Sequence, residues 1–174
     1  MDRRIYVTCA TLAGAGGLSF ILAKGTIGGP VMDAGFGLYG MLVVTAAALT
    51  FVRARQGRTE AHRAWAIRLF ALVVGSWLYR MEYGFWFLTA DGAGHVPDFS
   101  GPFDKVMTFF FYLPNLAVAE LFIRARTARI GAPFRLAATG TLIAASLFVM
   151  LATWSFTVDF WGPGMVSGLT GAPL

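Results

Sequence analysis

Residues 62–82, HRAWAIRLFALVVGSWLYRME, decide the fold because they read as a membrane-spanning helix that nevertheless carries arginines. Their length is close to the ~20 residues that a helix needs to cross the ~30 Å hydrocarbon core of a bilayer. Arg68 and Arg80 lie within the stretch. Ionisable side chains are costly at membrane depth, so each needs a partner, a water-filled cavity or a route to the interface. We therefore expect polar partners for both arginines on another segment.

The composition of the whole chain is that of a polytopic membrane protein. Of its 174 residues, 57% are hydrophobic and only 13% are charged, and the mean hydropathy is +0.65. About a quarter of the residues in a soluble domain are usually charged. Because little sequence is left over for a soluble domain, we predict that residues 1–174 form one helical membrane domain.

Five apolar segments are each near the length of a membrane-crossing helix. They cover residues 5–23, 34–52, 64–89, 106–123 and 136–157. We therefore predict an all-α membrane protein, built as a bundle of five transmembrane helices. Glycine and proline are frequent in residues 89–105 and 159–174, which predicts irregular surface segments there.

The basic residues indicate how the bundle is oriented. The second and fourth connections contain Arg53, Arg55, Arg58, Arg63, Arg124, Arg126, Arg129 and Arg135. The only basic residues of the first and third connections are Lys24 and Lys105. Because cytoplasmic loops carry an excess of lysine and arginine, we predict a cytoplasmic N-terminus and an external C-terminus in a bacterial inner membrane. This placement of the arginines also argues against nucleic-acid binding as the reason for the net charge of +5.

The first segment indicates where another helix packs. Ala10, Ala13, Gly14 and Gly17 form two small-residue pairs with a spacing of four, which lets a second helix approach closely. We expect this surface to pack within the bundle, which the lipid bilayer surrounds. A homodimer or a larger membrane complex is the alternative use of the same surface.

The candidate partner of Arg68 is Glu120, at the end of PNLAVAE in the fourth segment. If Arg68 and Arg124 lie level near the cytoplasmic edge on antiparallel helices, Glu120 is ~6 Å deeper and close to the level of Arg68. His62 stands at the start of the third segment, on the same side of the membrane. We predict an inner layer in which Glu120 pairs with Arg68 and is within reach of His62.

A second layer is predicted around Arg80, which lies ~18 Å beyond the inner layer along its helix. Tyr112 and Asn115 approach that level on the fourth segment. Pro114 lacks an N–H, so the carbonyl of Phe110 loses its helical partner. Because an arginine has five donors, we predict that Arg80 binds Asn115 together with this carbonyl.

These side chains form a predicted polar seam, which consists of His62, Arg68, Arg80, Tyr112, Asn115 and Glu120. Three interpretations stay open: a structural lock between two helices, a ligand-binding site, and a proton or ion path. Two arginines at different depths suit an anionic headgroup or a quinone carbonyl. No catalytic residue follows from the sequence, so the question of enzymatic activity also stays open.

The histidines and the cysteine bear on possible cofactors. His62 and His95 lie on opposite sides of the predicted membrane, so they cannot ligate one haem iron together. One cysteine and two separated histidines do not supply a usual metal-ligand set, and we predict no metal site. Ser100, His95 and Asp98 carry no positional constraint that would specify a hydrolytic triad. The cofactor, if the protein has one, is not specified by the sequence.

The motifs HRAWAIR, LYR and PNLAVAELFIR together resemble a family of small multipass proteins from bacteria and fungi, family 2306 of the domains of unknown function. The resemblance covers about residues 58–126. By position, its motif residues are His62, Arg63, Trp65, Arg68, Arg80, Asn115 and Glu120. This chain departs from the family pattern at Ala64 and Ala66, where a basic residue and a methionine are common. The resemblance implies a helical-bundle membrane protein and supplies no activity.

The sequence therefore predicts an integral inner-membrane binding or accessory protein that is built around the polar seam. The alternative is a membrane redox or transport protein in which the seam binds a quinone, a haem or an anion. The visible absorption spectrum and the identity of any co-purified lipid or quinone distinguish these two functions.

Overall fold

The computed structural model describes residues 3–127 and 131–171, and within these ranges the regular structure is entirely helical. The helices are α1 (Arg3–Lys24), α2 (Gly29–Arg55), α3 (Thr59–Ala90), α4 (Pro102–Phe110), α5 (Leu113–Thr127), α6 (Ala132–Phe156) and α7 (Gly162–Thr170), with a π-helical turn (Thr157–Trp161) between α6 and α7. This confirms the predicted all-α membrane fold.

Four stretches are long and apolar enough to cross a membrane: Ile5–Lys24, Gly29–Arg55, Pro102–Arg126 and Ala132–Thr170. They correspond to the first, second, fourth and fifth predicted segments. The third segment is α3, whose 32 residues extend for ~48 Å. The most charged helix, α3, packs against three others, α2, α5 and α6.

The fourth predicted segment, 106–123, is not one continuous helix. α4 ends at Phe110 and α5 begins at Leu113, with a short turn between them. Pro114 accounts for this break, since it has no N–H to donate back to the Phe110 carbonyl. In the first turn of α5 the missing donor is tolerated, so the proline ends one helix and begins the next.

The fifth segment is longer than the sequence predicts. The prediction of an irregular tail at 159–174 is wrong for residues 159–170. In these residues the helix continues through the π-helical turn to the end of α7. The Gly162 N–H donates to the Thr157 carbonyl, five residues back, which is the π-helical pattern. Pro163 then stands in the first turn of α7, where its missing N–H is tolerated. Residues 172–174 lie outside the described residues.

The core lies between α2, α3 and the turn that joins α4 to α5. Leu69, Phe111 and Tyr112 are fully buried there. Tyr39 and Tyr79 pack their rings on Phe111, with ring centres 5.0 and 5.1 Å apart. Tilted and edge-on contacts of this kind are the favoured arrangements of aromatic pairs. The aromatic core therefore fixes the α4–α5 turn against α2 and α3.

The small residues of α1 face two directions. Ala10 and Gly14 are buried, and a Cβ added at Gly14 would lie 3.0 Å from Cγ2 of Val44 on α2. Ala13 and Gly17 are exposed, and a Cβ at Gly17 would meet nothing within 4 Å. Part of the small-residue pattern therefore serves packing within the bundle.

Candidate functional site

Arg68 and Glu120 join α3 to α5 by an ion pair, which we call the inner pair. Nε and Nη2 of Arg68 donate to the same carboxylate oxygen, Oε2, at 3.0 and 2.6 Å. The other oxygen of Glu120 accepts from Arg124 at 3.1 Å. The ring centre of Trp65 lies 4.7 Å from the guanidinium carbon of Arg68. The structure thus brings together the two residues that helical rise places at one level.

A cavity of about 450 Å³ opens beside the inner pair, between α2, α3 and α5. Arg68, Glu120 and Thr45 contribute polar groups to its lining, and most of the remainder is leucine and alanine. Both charges are already paired, so the cavity offers few polar groups to a ligand. This arrangement favours a packing role for the inner pair.

Arg68→Ala and Glu120→Ala are each expected to lower the free energy of unfolding by about 1 kcal/mol, since each removes the two hydrogen bonds that join α3 to α5. The double variant should lose less than the sum because the residues are in contact. Unfolding of the purified protein by SDS titration measures all three variants.

Arg63→Ala is the matched control for this cycle. Arg63 is exposed on α3 and forms no ion pair with any residue of the ranges 3–127 and 131–171. Its replacement should leave the unfolding midpoint close to that of the wild type. Strictly additive losses in the double variant would contradict a stabilising inner pair.

His62 does not reach Glu120. Its Nδ1 lies 2.9 Å from the carbonyl oxygen of Thr50, and because a carbonyl only accepts, Nδ1 is the donor. The bond joins the beginning of α3 to the last part of α2. The predicted contact of His62 with Glu120 is therefore wrong, and the carboxylate is engaged by two arginines instead.

The predicted outer layer is also not formed. The Asn115 amide donates to the Phe111 carbonyl at 2.7 Å, and the Tyr112 hydroxyl donates to the Gly35 carbonyl at 3.3 Å. Arg80 makes no hydrogen bond or ion pair with the residues that the structure describes. The break between α4 and α5 explains why Asn115 does not bind Arg80. At this break the Asn115 amide donates to the backbone carbonyl of Phe111, four residues earlier.

Gly75 is the residue of α3 that lies opposite Asn115. A Cβ at Gly75 would be 2.8 Å from the Phe111 carbonyl oxygen and 3.5 Å from Nδ2 of Asn115. The backbone of α3 thus approaches the α4–α5 turn more closely than a side chain would permit. This close approach, and no bond from Arg80, joins the turn to α3 at this level.

Arg80 lines a second cavity of about 620 Å³, bounded by α2, α3, the α4–α5 turn, α6 and the π-helical turn. We call it the aromatic cavity because its lining includes Phe36, Tyr39, Tyr79, Tyr83, Phe87, Phe99, Phe111, Phe156 and Phe160. Arg80 is the charged residue of this lining. Arg80 is itself exposed, so the cavity combines apolar walls with an exposed cation that no described residue pairs.

A polar network that sequence reasoning missed lies at one end of the aromatic cavity. Asp104 is fully buried, and its Oδ1 accepts from the Tyr83 hydroxyl and from Nδ1 of His95, both at 2.7 Å. Its Oδ2 accepts from the backbone N–H groups of Val96 and Gly101 at 3.0 and 3.1 Å. Four donors thus hold one carboxylate and tie the loop between α3 and α4 to both helices.

The sequence carries a weak signal for this network. Asp104 is the third residue of α4, where a carboxylate commonly accepts from the backbone N–H of the N-cap, here Gly101. Along the chain, His95 has Asp98 and Ser100 as nearer polar neighbours. In the structure Asp98 instead accepts from the hydroxyl and the N–H of Ser100, and these hydrogen bonds lower the pKa of Asp98 below its usual range.

Glu82 is a second buried acid on α3. It is 8% exposed, and its Oε2 has no hydrogen-bond partner within the described ranges. Glu82 is two positions after Arg80, so the two side chains point to different faces of the helix. Glu82 belongs to the lining of neither cavity. Glu82 is therefore not part of the candidate site.

Apolar helices packed around one charged helix define a helical multipass membrane protein. Residues 3–123 match the model of the family described as "Predicted membrane protein (DUF2306)". The match covers well over half of the chain, and the chain belongs to this family. No curated protein and no solved structure matches the sequence. The matched region contains the inner pair, Arg80 and the Asp104 network.

Proposed function

We propose that the protein is an inner-membrane binding protein whose aromatic cavity takes an amphipathic ligand with an anionic or carbonyl-bearing head. The observation that carries this proposal is Arg80, a charged side chain of α3 that lines the cavity without a partner in the described part of the chain. Charged groups at membrane depth almost always pair or face a water-filled cavity. An oxygen of the ligand would supply the missing partner.

The aromatic cavity suits such a ligand in size and in chemistry. Its volume of about 620 Å³ falls within the ~300–1,000 Å³ of typical small-molecule sites. Aromatic rings provide a large apolar contact area for a ring or an acyl chain. The guanidinium presents five donors in a planar fork, which matches a carboxylate or phosphate and also serves a carbonyl.

The rest of the polar seam supports this function by holding the helices in place. The inner pair holds α3 against α5. Asn115 bonds the carbonyl of Phe111, whose ring belongs to the cavity wall. In this proposal the inner pair is a structural lock, and Arg80 is the residue that binds the ligand.

Co-purification tests the proposal. The protein is extracted into detergent, washed free of bulk lipid, and analysed by native mass spectrometry for a bound amphiphile. Arg80→Gln is expected to raise the dissociation constant of this amphiphile about tenfold or more and so to lower its occupancy, because a charged hydrogen-bond donor is worth ~1.5–3 kcal/mol. Arg63→Gln, exposed on the same helix, is the matched control and should keep the occupancy of the wild type.

Three other results of this co-purification experiment would each change the proposal in a different way. Equal occupancy in the wild type and in Arg80→Gln would contradict the proposal. Bulk phospholipid alone, in its membrane proportions, would indicate that the Arg80 side chain only extends to the lipid headgroups. A Soret band in the visible spectrum would support the redox alternative, with haem as the ligand.

A further inference from the structure

The cavity beside the inner pair is a mainly apolar groove, which we call the inner groove. Both α2 and α5 pack against α3, and the groove occupies the space between them. Leu113 lines the groove and is also 43% exposed, so the groove reaches the outer surface of the bundle. An apolar chain can therefore enter it from the surrounding bilayer. The aliphatic part of the lining consists of Leu42, Ala46, Leu72, Leu113, Leu116 and Ala117.

The two helices that border the inner groove each carry an arginine near one end of it. Arg53 is 11 residues after Leu42 on α2, and Arg124 is 11 residues after Leu113 on α5. Because 11 residues complete about three helical turns, each arginine is on the same face of its helix as the leucine that lines the groove. The inner pair joins the first part of α3 to the last part of α5, and α2 ends where α3 begins. Both arginines therefore lie at the same end of the bundle, which we call the basic end.

Both arginines keep hydrogen-bond donors for a further partner. Arg124 donates to Glu120 through Nε, and its two terminal nitrogens bond to no residue of the described ranges. Arg53 donates from Nη1 to the neutral amide of Gln56. The surroundings are also positive. Among the exposed side chains that the structure describes at the basic end, Glu60 is acidic, and the basic ones include Arg55, Arg58, Arg63, Arg126 and Arg135.

We propose that the inner groove holds one acyl chain of an anionic phospholipid, whose phosphate accepts from Arg53 and Arg124. Each arginine lies ~17 Å along its helix from the leucine at the other end of the groove. This length is about half of the ~30 Å hydrocarbon core, so the groove matches a chain that spans one leaflet. The guanidinium fork suits a phosphate, and the surrounding arginines favour a headgroup with a net negative charge.

This lipid site goes beyond the proposed function and does not depend on it. The inner groove and the aromatic cavity have no lining residue in common within the part of the chain that the structure describes. The lipid needs no polar group inside the groove, so the inner pair keeps its role as a structural lock. A phospholipid in the inner groove should therefore persist in Arg80→Gln, whereas the ligand of the aromatic cavity should not.

Two phospholipids that differ only in the headgroup test the basic end. Dioleoylphosphatidylglycerol and dioleoylphosphatidylcholine are titrated separately into the full-length protein in a neutral detergent, and binding is followed by native mass spectrometry. The wild type is expected to bind the anionic phosphatidylglycerol about tenfold more tightly, because basic side chains at the membrane surface attract anionic headgroups. The double variant Arg53→Gln and Arg124→Gln should lose this preference.

The double variant Arg55→Gln and Arg126→Gln is the matched control. It removes the same charge from the same two helices at positions two residues further on, which lie on other faces. We expect it to keep the preference of the wild type for phosphatidylglycerol. If it loses the preference as fully as the Arg53 and Arg124 variant does, general charge attraction explains the binding and the site is overturned.

Ala117→Trp tests the apolar part of the site. Ala117 is exposed and lines the inner groove, so a larger side chain there fills the groove without displacing the core. Because the acyl chain then loses its apolar contacts, we expect both lipids to bind about fivefold more weakly. Ala48→Trp is the control, since Ala48 is exposed on α2 and is not among the described lining residues of either cavity.

The remaining results each overturn the inference. Equal affinity of the wild type for the two lipids would remove the headgroup contact, and unchanged binding by Ala117→Trp would remove the acyl-chain contact. Failure of the wild type to bind either lipid would overturn both. None of these results bears on the proposed function, which the occupancy of the aromatic cavity in Arg80→Gln decides. The wild-type comparison needs no variant, so it remains decisive even if a substituted protein is unstable.

Discussion

Asp104→Ala is expected to lower the free energy of unfolding by about 3 kcal/mol. The substitution removes the acceptor of the Tyr83 hydroxyl, the His95 ring and the backbone N–H groups of Val96 and Gly101. A buried donor without a partner costs ~1–3 kcal/mol, and the total stays below the sum because groups in the loop regain water. Thermal unfolding of the purified protein in detergent measures the loss.

Asp98→Ala is the matched control, because Asp98 is exposed in the same loop and, within the described part of the chain, its side chain accepts from Ser100 alone. We expect little change in its unfolding midpoint. Tryptophan fluorescence is a suitable readout, since Trp86 of α3 stacks on Phe103 of α4 with ring centres 4.7 Å apart. Equal stability of the two variants would mean that the hydrogen bonds of Asp104 contribute nothing measurable.

Gly75→Val is expected to lower the free energy of unfolding by about 3 kcal/mol, the upper part of the range for overpacked cores. The Cβ alone would lie 2.8 Å from the Phe111 carbonyl oxygen, and valine adds two methyl groups. The obstacle is backbone, and Phe111 is fully buried, so α3 and the α4–α5 turn would have to separate. Unfolding by SDS titration provides the measurement.

Gly37→Val is the matched control for this substitution. Gly37 lies within α2, and a Cβ there would meet no atom within 4 Å. We expect its unfolding midpoint to stay near that of the wild type, since glycine and valine are both weak helix formers. If the two valine variants unfold at the same SDS fraction, the close approach at Gly75 is not a feature of the folded protein.

The helices and the inner pair could be predicted because both follow from local, periodic properties. The length of each apolar segment indicates a membrane crossing, and a constant rise per residue places Glu120 near Arg68. Few other partners exist at that depth, since unpaired charges are costly inside a membrane. The contact therefore follows from two assumptions, that the two neighbouring helices are antiparallel and that Arg68 and Arg124 lie level near one membrane edge.

The outer layer could not be predicted in the same way, because a depth map assumes continuous helices. Pro114 indicates a distortion, but the sequence does not show whether the chain kinks or forms a turn. The turn that forms leaves the Asn115 amide bonded to Phe111. The predicted partner of Arg80, Asn115, therefore bonds to the Phe111 carbonyl instead.

The Asp104 network was missed for a different reason. Its side chains come from α3, from the following loop and from α4, and no periodicity relates them. Tyr83 reads as an interfacial aromatic residue and His95 as a loop residue when each is taken alone. Both side chains bond to the buried carboxylate of Asp104. The burial of this carboxylate depends on how the loop folds back over α3.

The π-helical turn, Thr157–Trp161, makes one wall of the aromatic cavity adjustable. Such a turn holds one residue more than the α-helical turn that it replaces, and one residue corresponds to a rotation of ~100° about the helix axis. Phe156 and Phe160 stack there with ring centres 4.9 Å apart, and both line the cavity. Loss of a single residue would rotate this wall and leave the hydrogen bonds of α3 and α4 unchanged. In the proposed function, the shape of the aromatic cavity and its polar group, Arg80, are therefore separable properties of the chain.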